Sequence, residues 1–189
     1  LLLLFAFYMV FVKWNVTKVG KVDLNEDEII SNMNTGVAEN KEMKGYRNIA
    51  LFFFVLREGD LDKNTRSDTI IIASINQDTG AVKLCSVYRD TFLNLGNDTY
   101  TKCNAAYAKG GPQQAINMLN MNLDMDITDF ITIGFGGMTD VINELGGVTI
   151  DVDESEISHL TNYQSTMAQE LNMEYKPVTT TAKPLPNGF

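Results

Sequence analysis

Hydrophobic and polar positions divide the chain into an apolar start, a polar stretch and a regularly patterned remainder. Residues 1–12 (LLLLFAFYMVFV) are apolar without interruption, and Lys13 and Trp14 follow directly. A bilayer span needs about 20 residues, so this run is too short to cross a membrane by itself. However, a cation and an indole directly after an apolar run are typical of the membrane interface. The pattern predicts that residues 1–14 are the downstream end of an N-terminal membrane anchor. A buried N-terminal helix is the alternative interpretation.

The next segment, residues 15–45, is polar. It carries six carboxylates and three glycines, and only residues 27–32 suggest a short helix. No apolar face is sustained along it, which is typical of a connecting segment. We therefore expect a stalk or linker between the anchor and a folded domain that occupies residues 46–189.

Short apolar runs alternate with helical patterns through that domain. Strands are predicted at residues 48–56, 68–76, 81–88, 130–135 and 148–152, and helices after Pro112 and at residues 138–145 and 153–172. The run at 48–56 is typical of a strand buried on both faces. Gln77-Asp78-Thr79-Gly80 supplies the residues of a hairpin turn. The alternation predicts an α/β layered domain, and the hairpin makes its sheet mixed.

Composition excludes several classes of protein. The 189 residues include 15 Lys and Arg against 24 Asp and Glu, a formal net charge of −9. Such a chain lacks the basic field that general nucleic-acid binding needs. Two cysteines, Cys85 and Cys103, form no zinc-type motif. The sequence does not decide whether they pair in a disulfide. His159 has no neighbouring nucleophile motif that would indicate a catalytic triad.

The chain has only four arginines, which all fall in the first half of the folded domain: Arg47, Arg57, Arg66 and Arg89. A guanidinium group presents a rigid fork of donors that matches phosphate oxygens two at a time, which an ammonium group cannot do. An acidic protein with so few arginines in one region is expected to use them for their geometry.

The hairpin brings two of these arginines towards carboxylates. Asp68 lies ten residues before a turn centred on residues 78–79 and Arg89 ten residues after it, so the two should meet at one end of the sheet. Arg66 and Asp90 should lie close by. Arginines with an available Asp suit a phosphate group together with Mg²⁺, which one of the two carboxylates would ligate. Ordinary Arg–Asp salt bridging at a sheet edge is the alternative.

The order of motifs from about residue 46 onward resembles the LytR-CpsA-Psr family of bacterial cell-envelope proteins. The similarity is carried by RSDTIIIASIN, VKLCSVYRDT, TKCNAAYAKGGPQQAINML and FGGMTDVINELGGVTIDV. The resemblance implies an α/β/α sandwich with a mixed central sheet, anchored in the cell membrane by a single N-terminal helix with the domain on the extracytoplasmic side. It also implies transfer of an anionic glycopolymer from an undecaprenyl-pyrophosphate carrier to peptidoglycan, with Mg²⁺ as cofactor.

The family's functional residues are expected at matching positions of this chain. The resemblance assigns catalytic roles to Arg66, Asp68 and Arg89, with Asp68 also linked to the metal. It assigns substrate binding to the following residues: Arg57, Arg66, Arg89, Asp90, Lys102, Asn104 and Tyr107. The role of Asp90, within the Arg-Asp-Thr motif, is the least defined of these.

Two departures from the family pattern bear on catalysis. Phe53 and Val55 stand where the family's first strand has Gly and Asp, and a Val side chain can neither ligate a metal nor accept a proton. A later arginine-bearing segment would begin after Phe189, so the domain is expected to be incomplete at its C-terminus. The alternative to an impaired transferase is a non-catalytic polyprenyl-phosphate-binding or regulatory module, and a poorly folding fragment is a third possibility.

Overall fold

The computed structural model describes residues 20–37, 39–40, 44–54, 65–96, 98–170 and 174–175. The strands are β1 (Tyr46–Phe53), β2 (Thr69–Asn76), β3 (Val82–Val87), β4 (Phe92–Asn94), β5 (Tyr100–Lys102) and β6 (Asp129–Ile133). The helices are α1 (Glu26–Asn32), α2 (Ala105–Leu123), α3 (Phe135–Glu144) and α4 (Ile157–Glu170), with a short 3₁₀ turn at Glu154–Glu156.

Four strands form the main sheet in the order β3-β2-β1-β6, and β4 pairs with β5 in a separate ribbon. β2 runs antiparallel to both β1 and β3, whereas β6 runs parallel to β1. The mixed sheet expected from the sequence is therefore confirmed. Burial alternates along β1, with Ala50 and Phe52 fully buried and their neighbours only partly so, because a single face of the sheet carries the main core.

The turn between β2 and β3 follows the prediction from its residues. Asn76 accepts hydrogen bonds at its side-chain oxygen from the backbone N–H groups of Asp78 (3.0 Å) and Thr79 (2.8 Å). Gly80 has φ +71°, a conformation that side chains other than glycine's rarely adopt. These local bonds fix the turn and with it the register of the strands on either side.

Helix α2 covers the buried face of the sheet and supplies much of the core, including Ile116, Met118 and Leu119. Gly110 and Gly111 interrupt it with non-helical dihedral angles, and Pro112 starts the second segment. The helix predicted to start at Pro112 is therefore the second segment. A first segment, which begins at Ala105, precedes it.

Part of the segment expected to be a linker is packed on the domain. Ile29 of α1 is fully buried in the same core as Phe52 and Leu119. Asn25 and Gln113 exchange hydrogen bonds of 2.9 and 3.4 Å, and Asn34 donates to the Met121 carbonyl at 2.7 Å. Leu24 and Met33 pack against the same core, so a few apolar residues in a polar sequence hold this helix on the domain.

The strand predicted at residues 148–152 does not form. Val148 and Ile150 are 63% and 71% exposed, and β6 forms ladder bonds with β1 alone. Leu145, directly after α3, is also outside the core, at 79% exposed. β-branched composition alone was insufficient, because a strand needs a partner to satisfy its backbone groups. Gly146 and Gly147 end α3 with positive φ as expected, and the Gly147 N–H donates to the Ile142 carbonyl.

The predicted anchor at residues 1–14, Val55 and Arg57 all lie outside the described residues. Within the part of the chain that the structure describes, no helix combines the length and the apolar character needed to cross a bilayer.

Candidate functional site

The two ends of the β2–β3 hairpin place Asp68 beside Arg89. Ile70 pairs with Val87 at the end of the ladder, so continuing the register by two residues sets Asp68 opposite Arg89. The Arg89 Nη1 donates to Asp68 Oδ1 in an ion pair. The side chains are 48% and 28% exposed, so this pair lies at an accessible end of the sheet. The predicted meeting of these two residues is confirmed.

The β4–β5 ribbon returns the chain to this pair. β4 begins three residues after Arg89, and β5 ends at Lys102, which is paired with Phe92. The Cys103 N–H donates to the Thr91 carbonyl (2.8 Å), and the Asn104 N–H donates to the Arg89 carbonyl (3.2 Å). The two loops at the base of the ribbon are thereby bonded to each other. Gly96, with φ +108°, lies in the turn at its far end.

Asp90 and Lys102 add a second ion pair, with 2.8 Å between Lys102 Nζ and Asp90 Oδ1. The hydrogen bond from Lys102 is the main reason why the pKa of Asp90 lies below its ordinary value, against an opposing effect of desolvation. The charges of Lys102, Arg89 and Arg66 lower the same pKa further. The exposed Arg66 therefore adds to the positive charge at this end of the sheet. This agrees with its predicted position close to Asp68 and Arg89.

Cys103 is buried directly beneath the Arg89 loop. Its Sγ lies 3.2 Å from the Tyr88 carbonyl oxygen and 3.4 Å from that of Arg89, so the single S–H proton is within reach of both acceptors. Burial raises the pKa of this thiol, and neighbouring backbone hydrogen bonds only partly offset that rise. Cys85 is exposed on the edge strand β3, and both cysteines are free thiols.

Tyr107 connects the start of α2 to the end of β1. Its ring meets Phe52 and Phe54 edge-on, with centroids 5.3 and 4.7 Å apart. Its hydroxyl lies 3.1 Å from the Thr132 hydroxyl on β6. The residue is only 3% exposed, so its observed role is to fix the helix against the sheet beside the Arg89–Asp68 pair.

Two buried polar oxygens near the ion pair have no hydrogen-bond partner among the described residues. They are Ser67 Oγ and Asn104 Oδ1, in residues that are each 1% exposed. Ser67 lies between Arg66 and Asp68 in the chain, and Asn104 precedes α2 without capping it through its side chain. Buried polar groups without partners are uncommon and often mark places that water or a ligand occupies.

The carboxylates present fit a magnesium ion that is shared with a phosphate ligand. Among the described residues, no group of three or more His, Cys, Asp or Glu side chains is arranged to hold a metal by itself. Mg²⁺ at phosphate sites is usually held by one or two carboxylates together with phosphate oxygens and water. Asp68, a partly accessible carboxylate beside Arg89, suits that arrangement.

Most of the predicted site residues lie in one region. Asp68, Arg89 and Asn104 are linked through direct bonds, and Asp90 is bonded to Lys102. Tyr107 supports the same end of the sheet from the core, whereas Arg57 lies outside the described residues. Sequence reasoning did not anticipate the buried Ser67 hydroxyl or the thiol of Cys103 below the loop. No sequence signal marks either, because burial depends on long-range packing.

Known proteins are similar to this chain in sequence. The sequence model of the LytR_cpsA_psr family matches residues 10–174. Over 90 residues the chain is 39% identical to polyisoprenyl-teichoic acid–peptidoglycan teichoic acid transferase TagV of Bacillus subtilis (strain 168), covering 46% of this chain and 23% of that protein. The chain spans between about a quarter and a third of the length of the first curated relatives that it matches.

Solved structures agree on the fold. The crystal structure of B. subtilis TagV matches with a TM-score of 0.50 and 34% identity, over 58% of this chain and 44% of that one. The protein YwtF (TagT), solved with bound octaprenyl pyrophosphate lipid, matches with a TM-score of 0.51 and 22% identity, over 75% and 54% of the two chains. Both support the expected α/β fold, and the family match covers most of the chain. The protein therefore belongs to the LytR_cpsA_psr family.

Proposed function

We propose that this domain takes part in attaching an anionic glycopolymer to peptidoglycan, binding the polymer through the pyrophosphate of its polyprenyl carrier. The observation that carries the proposal is the accessible Arg89–Asp68 ion pair, with the charge of Arg66 acting on the same end of the sheet. Membership of the family and the transferase activity for which TagV is named support the choice of substrate class.

The arginines supply what a pyrophosphate needs. A guanidinium group has five donors, and Asp68 engages only part of this set at Arg89, where nearly half the side chain is exposed. In the proposed reaction an acceptor hydroxyl of peptidoglycan bonds to the phosphorus nearest the polymer sugar. The bond from that phosphorus to the bridging oxygen breaks, polyprenyl phosphate leaves, and the proton of the hydroxyl passes to the departing phosphate. Arg66 and Arg89 stabilise the charge that accumulates on the leaving group.

Asp68 would hold a magnesium ion together with the pyrophosphate oxygens. When bound, such an ion neutralises phosphate charge. The Asp68 N–H donates to the Phe53 carbonyl at 2.9 Å, which holds the backbone at this position. A partly exposed carboxylate on a fixed backbone can bind the ion without reorganising the sheet.

The apolar run at residues 1–12, followed by Lys13 and Trp14, supports attachment of the protein to the cell membrane. We place the anchor as a single pass and the domain on the extracytoplasmic side, where peptidoglycan is found. In this arrangement the polyprenyl chain of the substrate reaches the domain from the same bilayer. Flotation of the full chain with lipid vesicles tests the attachment, and a chain that stays in the dense fractions would contradict it.

The decisive experiment compares two arginine variants of the full chain in detergent. Arg89→Ala should abolish binding of polyprenyl pyrophosphate in a titration. Arg47→Ala is the matched control, because Arg47 pairs with Asp129 (2.9 Å) towards the other end of β1. It should bind as the wild type does. If Arg89→Ala binds with unchanged affinity, the pyrophosphate does not bind at Arg89 and the proposed site is wrong.

A second candidate function is a non-catalytic module that binds polyprenyl phosphates or regulates envelope assembly. The residue that favours it is Val55, which stands where the family pattern has an Asp. A valine cannot accept the proton of the attacking hydroxyl. If the Val55→Asp chain transfers polymer and the wild type only binds it, this candidate is correct. Transfer by the wild type would show that the carboxylate is dispensable.

A further inference from the structure

We propose that Ser67 is an additional ligand-binding residue, whose buried hydroxyl donates a hydrogen bond to a phosphate oxygen held by Arg66 and Arg89. This inference rests on the proposed function, since it assigns a third group to the same phosphate site. It concerns a side chain that neither the sequence motifs nor the arginine geometry had marked.

The first observation is that the Ser67 hydroxyl has no partner in the described structure although the residue is only 1% exposed. Leaving a buried polar group unsatisfied costs about 1–3 kcal/mol. Folded proteins rarely accept this unless water, an ion or a ligand completes the site. Ser67 therefore has an unused hydrogen-bonding capacity in the ligand-free domain.

The second observation is position. Ser67 is covalently joined to Arg66 and Asp68, one exposed cation and one carboxylate already bonded to Arg89. The bond from the Asp68 N–H to the Phe53 carbonyl fixes the backbone immediately after Ser67. A ligand bound between Arg66 and the Arg89–Asp68 pair would lie next to this segment of the backbone.

The chemistry of the group selects a phosphate oxygen as its partner. A serine hydroxyl can donate, and the oxygens of a pyrophosphate only accept. The Asn104 Oδ1, the other orphan oxygen nearby, is itself an acceptor and does not fit a phosphate oxygen. Ser67 is thus the neutral donor that complements two cationic ones.

Two of the other buried orphan atoms in the described residues differ in kind. Asn48 and Asn117 also have an unpartnered oxygen, but each is held by its amide nitrogen, which donates to Asp126 at 2.5 Å and to Glu28 at 3.3 Å. Those side chains have a structural bond that accounts for their presence. The only polar atom of the Ser67 side chain has none within the described part of the chain.

The test uses the full chain in detergent, inorganic pyrophosphate with Mg²⁺ as the probe, and two measurements. Ser67→Ala should leave the melting temperature of the free protein unchanged or slightly higher, because it removes an unsatisfied group. It should weaken pyrophosphate binding about tenfold in calorimetry, the usual effect of one hydrogen bond to a charged group. Ser74→Ala, at the other end of β2, is the control and should bind as the wild type does.

The outcomes distinguish the role of Ser67 from the existence of the phosphate site. Wild-type affinity in Ser67→Ala overturns the role of Ser67 and leaves the phosphate site standing. A clear fall in its melting temperature means that the hydroxyl is satisfied within the free protein, and this also overturns the inference. Failure of the wild type itself to bind pyrophosphate overturns the phosphate site, and the role of Ser67 with it.

Discussion

The backbone N–H of Asn104 donates to the carbonyl of Arg89 at 3.2 Å. This bond joins the first residue before α2 to the loop that carries the arginine, across the whole β4–β5 ribbon. A second bond, from the Cys103 N–H to the Thr91 carbonyl (2.8 Å), joins the same two loops. Together the two bonds tie the loops at the base of the ribbon to each other. Arg89 is consequently held from two sides, by this base through its backbone and by Asp68 through its side chain.

Asp68 should make pyrophosphate binding depend on magnesium. In the wild type we expect affinity to rise when Mg²⁺ is added and to fall with a chelator. In Asp68→Asn this dependence should largely disappear, because an amide lacks the charge that holds the ion. Calorimetric titrations with and without Mg²⁺ measure the difference. Asp129→Asn, which alters a carboxylate paired with Arg47 towards the other end of β1, should retain the response; equal responses in both variants would refute the metal role.

Lys102 should control the ionisation of Asp90. The hydrogen bond from Lys102 is the largest cause of the lowered pKa of Asp90. Lys102→Met should therefore raise that pKa towards its ordinary value of 3.8. Carboxyl NMR titration measures the change, and Arg66→Gln should shift the same resonance in the same direction by less. An Asp90 pKa that does not respond to Lys102→Met would show that the ion pair does not persist in solution.

The sign of the effect of pH on stability follows from this shift. A carboxylate whose pKa is lowered by folding stabilises the folded state above its ordinary pKa, and the contribution is lost as pH falls through the lowered value. Because Asp90 and Lys102 are both more than half exposed, the effect on unfolding should be small.

Cys103 should be inert in the folded protein, whereas Cys85 reacts. A thiol reagent at neutral pH should modify Cys85 rapidly, since it is exposed, and reach the buried Cys103 only after denaturation. The Cys85→Ser variant should therefore show almost no fast reaction. Rapid modification of that variant under native conditions would mean that the base of the ribbon opens.

Burial of Cys103 also predicts a loss of stability in alkali. Its pKa is raised above an ordinary value of 9.0, so the folded state favours the neutral thiol. The contribution is fully present below that pH and is lost as pH rises through the raised folded value. Chemical denaturation from about pH 8 to pH 11 should show a fall that is smaller in Cys103→Ser than in Cys85→Ser. Equal falls would exclude Cys103 as the cause.

Asn120 should be among the most important polar residues for stability. It is fully buried and forms two hydrogen bonds with the backbone of Ile127, from Nδ2 to the carbonyl (2.9 Å) and from the N–H to Oδ1 (2.8 Å). Asn120→Ala leaves both backbone groups unsatisfied and should cost about 2–4 kcal/mol in urea unfolding. Asn143→Ala, at an exposed position in α3, should change stability by less than about 0.5 kcal/mol. A similar effect of both variants would contradict the buried network.

The sequence by itself determined the parts of the site that depend on local pairing. Asp68 and Arg89 could be matched from the sequence because a tight turn fixes the register between them, and β2 and β3 pair as strands as their β-branched residues indicate. The helix ending at Gly146-Gly147 was equally local, since glycine adopts the positive φ that such an ending requires.

Only the tertiary structure decided the rest. It brought Asn104 under Arg89, buried the hydroxyl of Ser67, placed Ile29 in the core and left Val148 and Ile150 outside any strand. Asn25 and Gln113, 88 residues apart in sequence, bond to each other only in the folded chain. The physical reason is that burial and partner choice depend on contacts between distant segments, whereas turn and strand patterns reflect only a residue's immediate neighbours.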